Sequence, residues 1–250
     1  MICPKCKTEL PENAVACFQC GHSFKKRNWT KYLFIGIPLI IILVSAYFFI
    51  NHQLKLSEIN QKLEQAIGKD AGYTETIIKV EKDASSITYQ ELFDLCDKSI
   101  EGRTELIVEL RGLYPSIESE TKNKLIDYLN YENELIRNKK QFYRKQLSFS
   151  SALESYNEHS SDLPSSSYGW DYYFERSRKL RTEMVNAAAE MKTNADQFIN
   201  AYSEIVKKEK DLKVILDNAG IRFQGFFQKY ENENIKLAED AKGLADMIKS

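Results

Sequence analysis

Histidine is nearly missing from this chain of 250 residues. Only His22, His52 and His159 occur, and His159 is the one beyond position 52. Triads and histidine-metal chemistry need several imidazoles brought together, so the long C-terminal region is poorly supplied for either. Proline and glycine are also scarce, with 5 and 10 residues. No glycine-rich stretch has the form of a phosphate-cradling loop. Between Trp170 and Gly220 neither residue interrupts the chain. Five cysteines are present, and four of them fall within the first twenty positions. Such clustering argues for one local site rather than a disulfide framework distributed through a fold. Charge is absent from residues 32–50, "YLFIGIPLIIILVSAYFFI".

Against these absences stands an uneven distribution of charge. The net charge is -1, yet the segment before Tyr32 has six Lys/Arg against two Asp/Glu. Beyond Ile50 the count is 29 against 34. A basic head and an acidic body, separated by an uncharged run, have different surroundings.

Cys3, Cys6, Cys17 and Cys20 read as C-x2-C-x10-C-x2-C. Two intervening residues let a tight turn present both sulfurs of a pair to one ion, and four thiolates complete the tetrahedral shell of a structural Zn2+. So short a segment cannot bury enough apolar surface to fold unaided, so metal binding is expected to supply much of its folding free energy. Gly21 follows the second pair, where positive φ is useful; Lys7 holds the equivalent place after the first. His22 is read as a neighbour, because four cysteines already fill the shell. Paired disulfides or a redox dithiol are the competing readings.

"ICPKCKTELPENAVACFQCGHSF" resembles the short zinc-ribbon module at the N-terminus of many prokaryotic membrane proteins. The match covers residues 1–24 and departs from the usual pattern at Lys7, where glycine is common, and at Phe18, where proline is common. Ribbon, single span and extracytoplasmic region together resemble membrane proteins such as the teicoplanin-resistance-associated group. The resemblance implies one structural zinc and stops at the membrane.

Residues 32–50 have the length of a transmembrane helix: nineteen helical residues rise about 28 Å, close to the hydrocarbon thickness. Pro38 is tolerated in a spanning helix. Lys25, Lys26, Arg27 and Lys31 crowd the N-terminal flank. Excess positive charge stays cytoplasmic, so the expected orientation is ribbon inside and body outside. The expected domains are therefore a zinc ribbon (1–24), a basic juxtamembrane linker (25–31), a transmembrane helix (32–50) and an extracytoplasmic helical domain (51–250).

The body reads as all-α, an elongated antiparallel bundle or coiled coil. The expected helices run from Gln53 to about Lys69 with Leu54, Ile59, Leu63 and Ile67 on one face, then, after a break at "GKDAGY", through "YTETIIKVEKD". Others cover Tyr89 to about Leu113, 116–157 and Trp170–Gly220. A last seam carries Phe223, Phe227, Tyr230, Asn234, Leu237, Ala241, Leu244 and Ile248. Cys96 falls on a buried stripe, as a small apolar residue.

No convergent set of polar groups marks an enzyme, and no small-molecule substrate is suggested. "SSSYGWDYYF" is the best candidate recognition surface, with Tyr168, Trp170, Tyr172 and Tyr173 offering rigid contact area; the alternative is a loop capped by its own aromatics. The expected partners are the lipid bilayer and either an envelope protein or a second copy of the chain. Nucleic acid at the ribbon, or a cytoplasmic protein there, is the alternative, with the body acting as a sensor.

Overall fold

The computed structural model describes residues 1–24, 29–82, 88–117, 119–164 and 169–249, and the side chains of 29–37, 82 and 249 lie outside that description. The chain divides into two compact units, Met1–Leu54 and Lys55–Ser250. Most of the basic linker, including Lys25, Lys26 and Arg27, is outside the described residues.

The first unit begins with two knuckles that repeat one hydrogen-bond pattern at an offset of fourteen residues. In the first, Lys7 N–H donates to Cys3 O (2.9 Å) and Cys3 N–H to Thr8 O (2.9 Å). In the second, Gly21 N–H donates to Cys17 O (2.8 Å) and Cys17 N–H to His22 O (2.8 Å). Bridges pair Ile2 with Glu9 and Ala16 with Ser23.

Five α-helices follow among the described residues: α1 Trp29–Lys82, α2 Tyr89–Gly112, α3 Glu120–Ser161, α4 Trp170–Asn218 and α5 Phe227–Lys249. Within α1 the stretch from Pro38 onward is long and apolar enough to cross a membrane, and the side chains of its apolar window are wholly exposed.

Helix α1 corrects the expected break at "GKDAGY", through which it runs without interruption. Gly68 and Gly72 each weaken a helix by about 1 kcal/mol relative to alanine. The burial of Ile59, Leu63, Ala66, Asp70, Thr74 and Ile77 on one face holds the helix together across them. Ile59 and Leu63 are buried and Ile67 packs against the core as expected, but Leu54 is exposed, and the buried face also carries the polar Asp70 and Thr74.

Thr88 starts α2 with a capping box: its hydroxyl accepts from Glu91 N–H while Glu91 accepts from Thr88 N–H. These bonds from the Thr88 backbone and hydroxyl hold the Glu91 carboxyl below its usual range. Cys96 is buried as expected, among Leu92, Phe93, Ile107 and Leu110, whereas Tyr89 is exposed. Burial pushes the Cys96 thiol up to about 11, which keeps it protonated and inert.

Helix α3 packs on both α2 and α4, and α4 also packs on α5. At the end of α4, Gly220 takes φ +73°. Its N–H reaches Asp217 O and Ile221 N–H reaches Leu216 O, at 3.0 and 2.9 Å. This is a Schellman stop, with buried Ile221 and Leu216 supplying its apolar contact.

The α5 seam differs from the expected one. Phe227 and Ala241 are buried, but Leu237 and Leu244 are 37% and 41% exposed, and Ala238 and Ala245 are fully buried instead. Alanine lets α5 lie close against α4, whose Ala188, Met191 and Ala195 are likewise buried. Close approach rotates the helix by about one residue relative to a leucine seam.

Candidate metal centre and buried polar clusters

Each cysteine is placed by its knuckle. Cys3 and Cys17 begin the turns and are buried; Cys6 and Cys20 end them and are partly exposed. The four sulfurs lie within 4.8 Å of one another, with Cys3 to Cys20 at 3.6 Å and Cys6 to Cys17 at 3.4 Å. A tetrahedral zinc with Zn–S of about 2.3 Å spaces its sulfurs by about 3.8 Å. The donor set therefore fits one metal ion such as zinc. His22 is exposed and stacks edge-on against Phe24, outside the sulfur cluster. All five cysteines are free thiols.

The thiols are unequal. Hydrogen bonds from the Thr8 hydroxyl and backbone bring Cys6 down to about 6. At Cys20 a hydrogen bond from the His22 backbone pulls the same way, but burial and the other sulfurs outweigh it and push the thiol up to about 12. One thiolate forms readily and the next is resisted by its neighbours, so a cation at the centre is what lets four coexist.

Lys7 and Gly21 both have positive φ, +56° and +69°. The backbone conformation that glycine adopts freely is thus forced on a lysine in the first knuckle. That strain marks the departure at Lys7 in physical terms.

The aromatic surface is only partly assembled. Tyr168 lies outside the described residues. Tyr172 is 72% and Trp170 37% exposed. Tyr173 is half-buried, its ring stacked on His159 with centroids 4.6 Å apart, and Trp170 meets it edge-on at 5.7 Å. Phe174, the last residue of "SSSYGWDYYF", is 52% exposed beside them.

Two buried polar clusters were not anticipated. In the first, Arg103 on α2 is fully buried, and its Nε donates to Asp70 of α1 (2.5 Å) and Glu132 of α3 (3.2 Å). Its remaining nitrogens donate to Ser99 and, at 2.6 Å, to Thr74. Tyr73 lies over the guanidinium at 5.9 Å. Gly102 makes room for it, because a Cβ there would collide with the Tyr73 ring. Burial, and then the adjacent Asp70 carboxylate, hold the Glu132 carboxyl well above its usual range against the pull of Arg103. One guanidinium facing two carboxylates is best balanced when the pair keeps one proton.

In the second cluster Lys139 of α3 donates to Glu81 of α1 (2.6 Å) and to Asn234 of α5 (3.1 Å). Asn234 in turn donates to Tyr202 Oη at 3.3 Å, and Tyr202 donates to Phe227 O at 3.1 Å. Asn234 is thus bonded to α3, α4 and its own helix, where it fixes register. Nearby, buried Glu209 of α4 accepts from the N–H groups of Phe226, Phe227 and Gln228 at 2.5, 3.0 and 3.0 Å. It caps the start of α5, whose first turn has no acidic residue of its own. Gly225 is required there, since a Cβ would strike the carboxylate.

No sequence signal separates these charges from the solvated ones around them. Arg103 and Glu132 are single charged residues in charged helices, and only the phase of the buried stripe picks them out. Comparison of the chain with known protein families, curated proteins and solved structures gives no match.

Proposed function

We propose that this chain is a non-enzymatic, single-pass membrane protein with a cytoplasmic zinc ribbon and an extracytoplasmic helical domain that associates with an envelope component or with itself. The observation that carries the reading is the placement of an exposed, uncharged apolar helix segment between a four-thiol cluster and a helical bundle. Exposed isoleucine, leucine, valine and phenylalanine at positions 39–50 are stable in hydrocarbon and costly in water. The basic residues before Tyr32 favour a cytoplasmic N-terminus, and a reducing cytoplasm keeps the thiolates available to zinc.

Cys3, Cys6, Cys17 and Cys20 hold the ion, which fixes a module too small to fold by burial alone. A ribbon that binds nucleic acid has less support, because exposed Lys5 and Lys7 are matched by exposed Glu9 and Glu12, and Ile2, Val15 and Phe18 are exposed as well. The buried titratable cluster does not argue for an enzyme. Arg103 is sealed from solvent, each of its nitrogens is engaged, and the described cavities are lined by other residues.

Externally added protease in spheroplasts tests the topology. The helical domain should be cut while the ribbon is protected. Cleavage of the ribbon with protection of the helical domain would reverse the orientation.

A further inference from the structure

The outer ends of α3 and α4 form a two-helix hairpin in which burial thins towards the tip. Phe149 is the last buried residue of α3 and Leu180 the first of α4. Beyond them the two helices hold each other through His159 and Tyr173, and through the Tyr173 hydroxyl donating to Ser160 O at 3.5 Å. On α4 an open groove of about 920 Å3 is lined by Asp171, Phe174, Glu175, Ser177, Arg178 and Arg181, with Tyr156 of α3.

Asp171, Phe174, Glu175, Arg178 and Arg181 fall within about a third of the helix circumference at about 100° per residue. All five are exposed. Among the described residues, no ion pair engages Asp171, Glu175, Arg178 or Arg181. Asp171 and Glu175 are like charges four apart, and Arg178 and Arg181 are like charges three apart. Both spacings work against an isolated helix.

The order of signs along this face is self-complementary. If a second copy lies antiparallel across it, with the two-fold axis near position 176, Asp171 falls opposite the partner's Arg181 and Glu175 within one residue of the partner's Arg178. The same axis then repeats both pairs in the other direction, as an isologous contact requires. Each like-charged pair then faces the opposite sign across the interface, adding to the favourable Glu175–Arg178 spacing within one copy, and Phe174 comes to lie near the partner's Arg178, a favourable cation–π arrangement.

We propose that this α4 face is a homotypic docking surface, on which two copies of the chain pair antiparallel through Asp171, Phe174, Glu175, Arg178 and Arg181. The inference deepens the association reading under Proposed function and rests on it. A face with so few residues is far smaller than the roughly 20–30 residues per partner of a stable interface. The contact is therefore weak in solution and gains from the high effective concentration of chains held in one membrane.

Complementary charge variants test it in full-length, zinc-loaded protein reconstituted in bilayers. Ser177 lies beside the two-fold axis, so Ser177→Cys should be joined to its own copy by a short bismaleimide, and Ser203→Cys, exposed elsewhere on α4, should not. In the Ser177→Cys background, Arg178→Glu with Arg181→Glu makes the face wholly acidic, and Asp171→Arg with Glu175→Arg makes it wholly basic. Each alone should lose about tenfold or more of the crosslink, since every cross-pair becomes repulsive. Mixed together, the two should crosslink to each other at least as well as the parent. Retained helical circular dichroism in both variants separates this result from misfolding. An acidic variant that still pairs with itself, or a mixture that fails to pair, would overturn the proposal. Protease topology is a separate readout, so failure here leaves the membrane reading standing, and an inverted topology leaves this face to be judged on its crosslinks.

Discussion

In the ribbon only Cys3, Leu10 and Cys17 are buried, and two of those three are sulfur donors. The helical domain instead buries a continuous apolar core drawn from all five helices, with charged residues enclosed inside it. One region gathers four thiols around a site that fits one metal ion such as zinc. The other is organised by apolar surface, and its buried charges are met by opposite charges, as at Arg103, or by backbone groups, as at Glu209. Stability in the first should follow metal and thiol chemistry, and in the second packing and desolvation.

The largest effect is expected where one ligand is removed. Cys17→Ser should abolish stoichiometric zinc binding, read by metal analysis, and leave the helical domain's thermal transition in place. Next comes Arg103→Ala, which strands Asp70 and Glu132 as buried acids without a cation. Breaking such a pair costs about 3–5 kcal/mol, measurable by urea denaturation of the helical domain, with zinc content unchanged. Glu209→Ala should cost less, about 2 kcal/mol, by leaving the N–H groups of Phe226, Phe227 and Gln228 without their acceptor. Amide exchange at those three positions should report the loss.

Apart from Asn234, which lay on the expected α5 seam, the polar members of both buried clusters escaped sequence reading for the same reason. Cys96 fell on the buried stripe of α2, and Gly220 closed the interval from Trp170 through its local chemistry. The cysteine pairs were equally legible, because their ligand geometry is local in sequence. Asp70, Arg103 and Glu132 are far apart in the chain and carry no local signature; they meet only once three helices pack. The α5 seam was off at Leu237 and Leu244 because a leucine removes more apolar surface than the alanine beside it, yet here the smallness of Ala238 and Ala245 lets two helices approach closely. At "GKDAGY" the two glycines looked like a break, but the packed face on either side outweighs their propensity.

Glu132 offers a pH test. With its folded-state pKa raised above the unfolded value, the native state keeps a proton that the unfolded chain releases. Stability is then fully present below the unfolded value and falls as pH rises towards the folded one, by up to about 1.4 kcal/mol per pH unit. Glu132→Gln should flatten that slope, measured as urea midpoints between pH 4.5 and neutrality. A slope of opposite sign in the parent would mean that Arg103 keeps the carboxylate ionised. The smallest effect belongs to the ribbon. Lys7→Gly relieves the positive φ at that knuckle and should tighten zinc binding by about 1 kcal/mol, a few-fold in a competition titration.

Metal removal tests the contrast between the two regions most directly. Purified full-length protein is titrated with a zinc chelator while limited proteolysis maps residues 1–24 and circular dichroism follows melting of the helical domain. The account predicts release of one zinc per chain, new cleavage confined to the ribbon, and a helical transition that does not move. Helical melting that falls in step with zinc loss, or a ribbon that stays resistant after its zinc has gone, would contradict it.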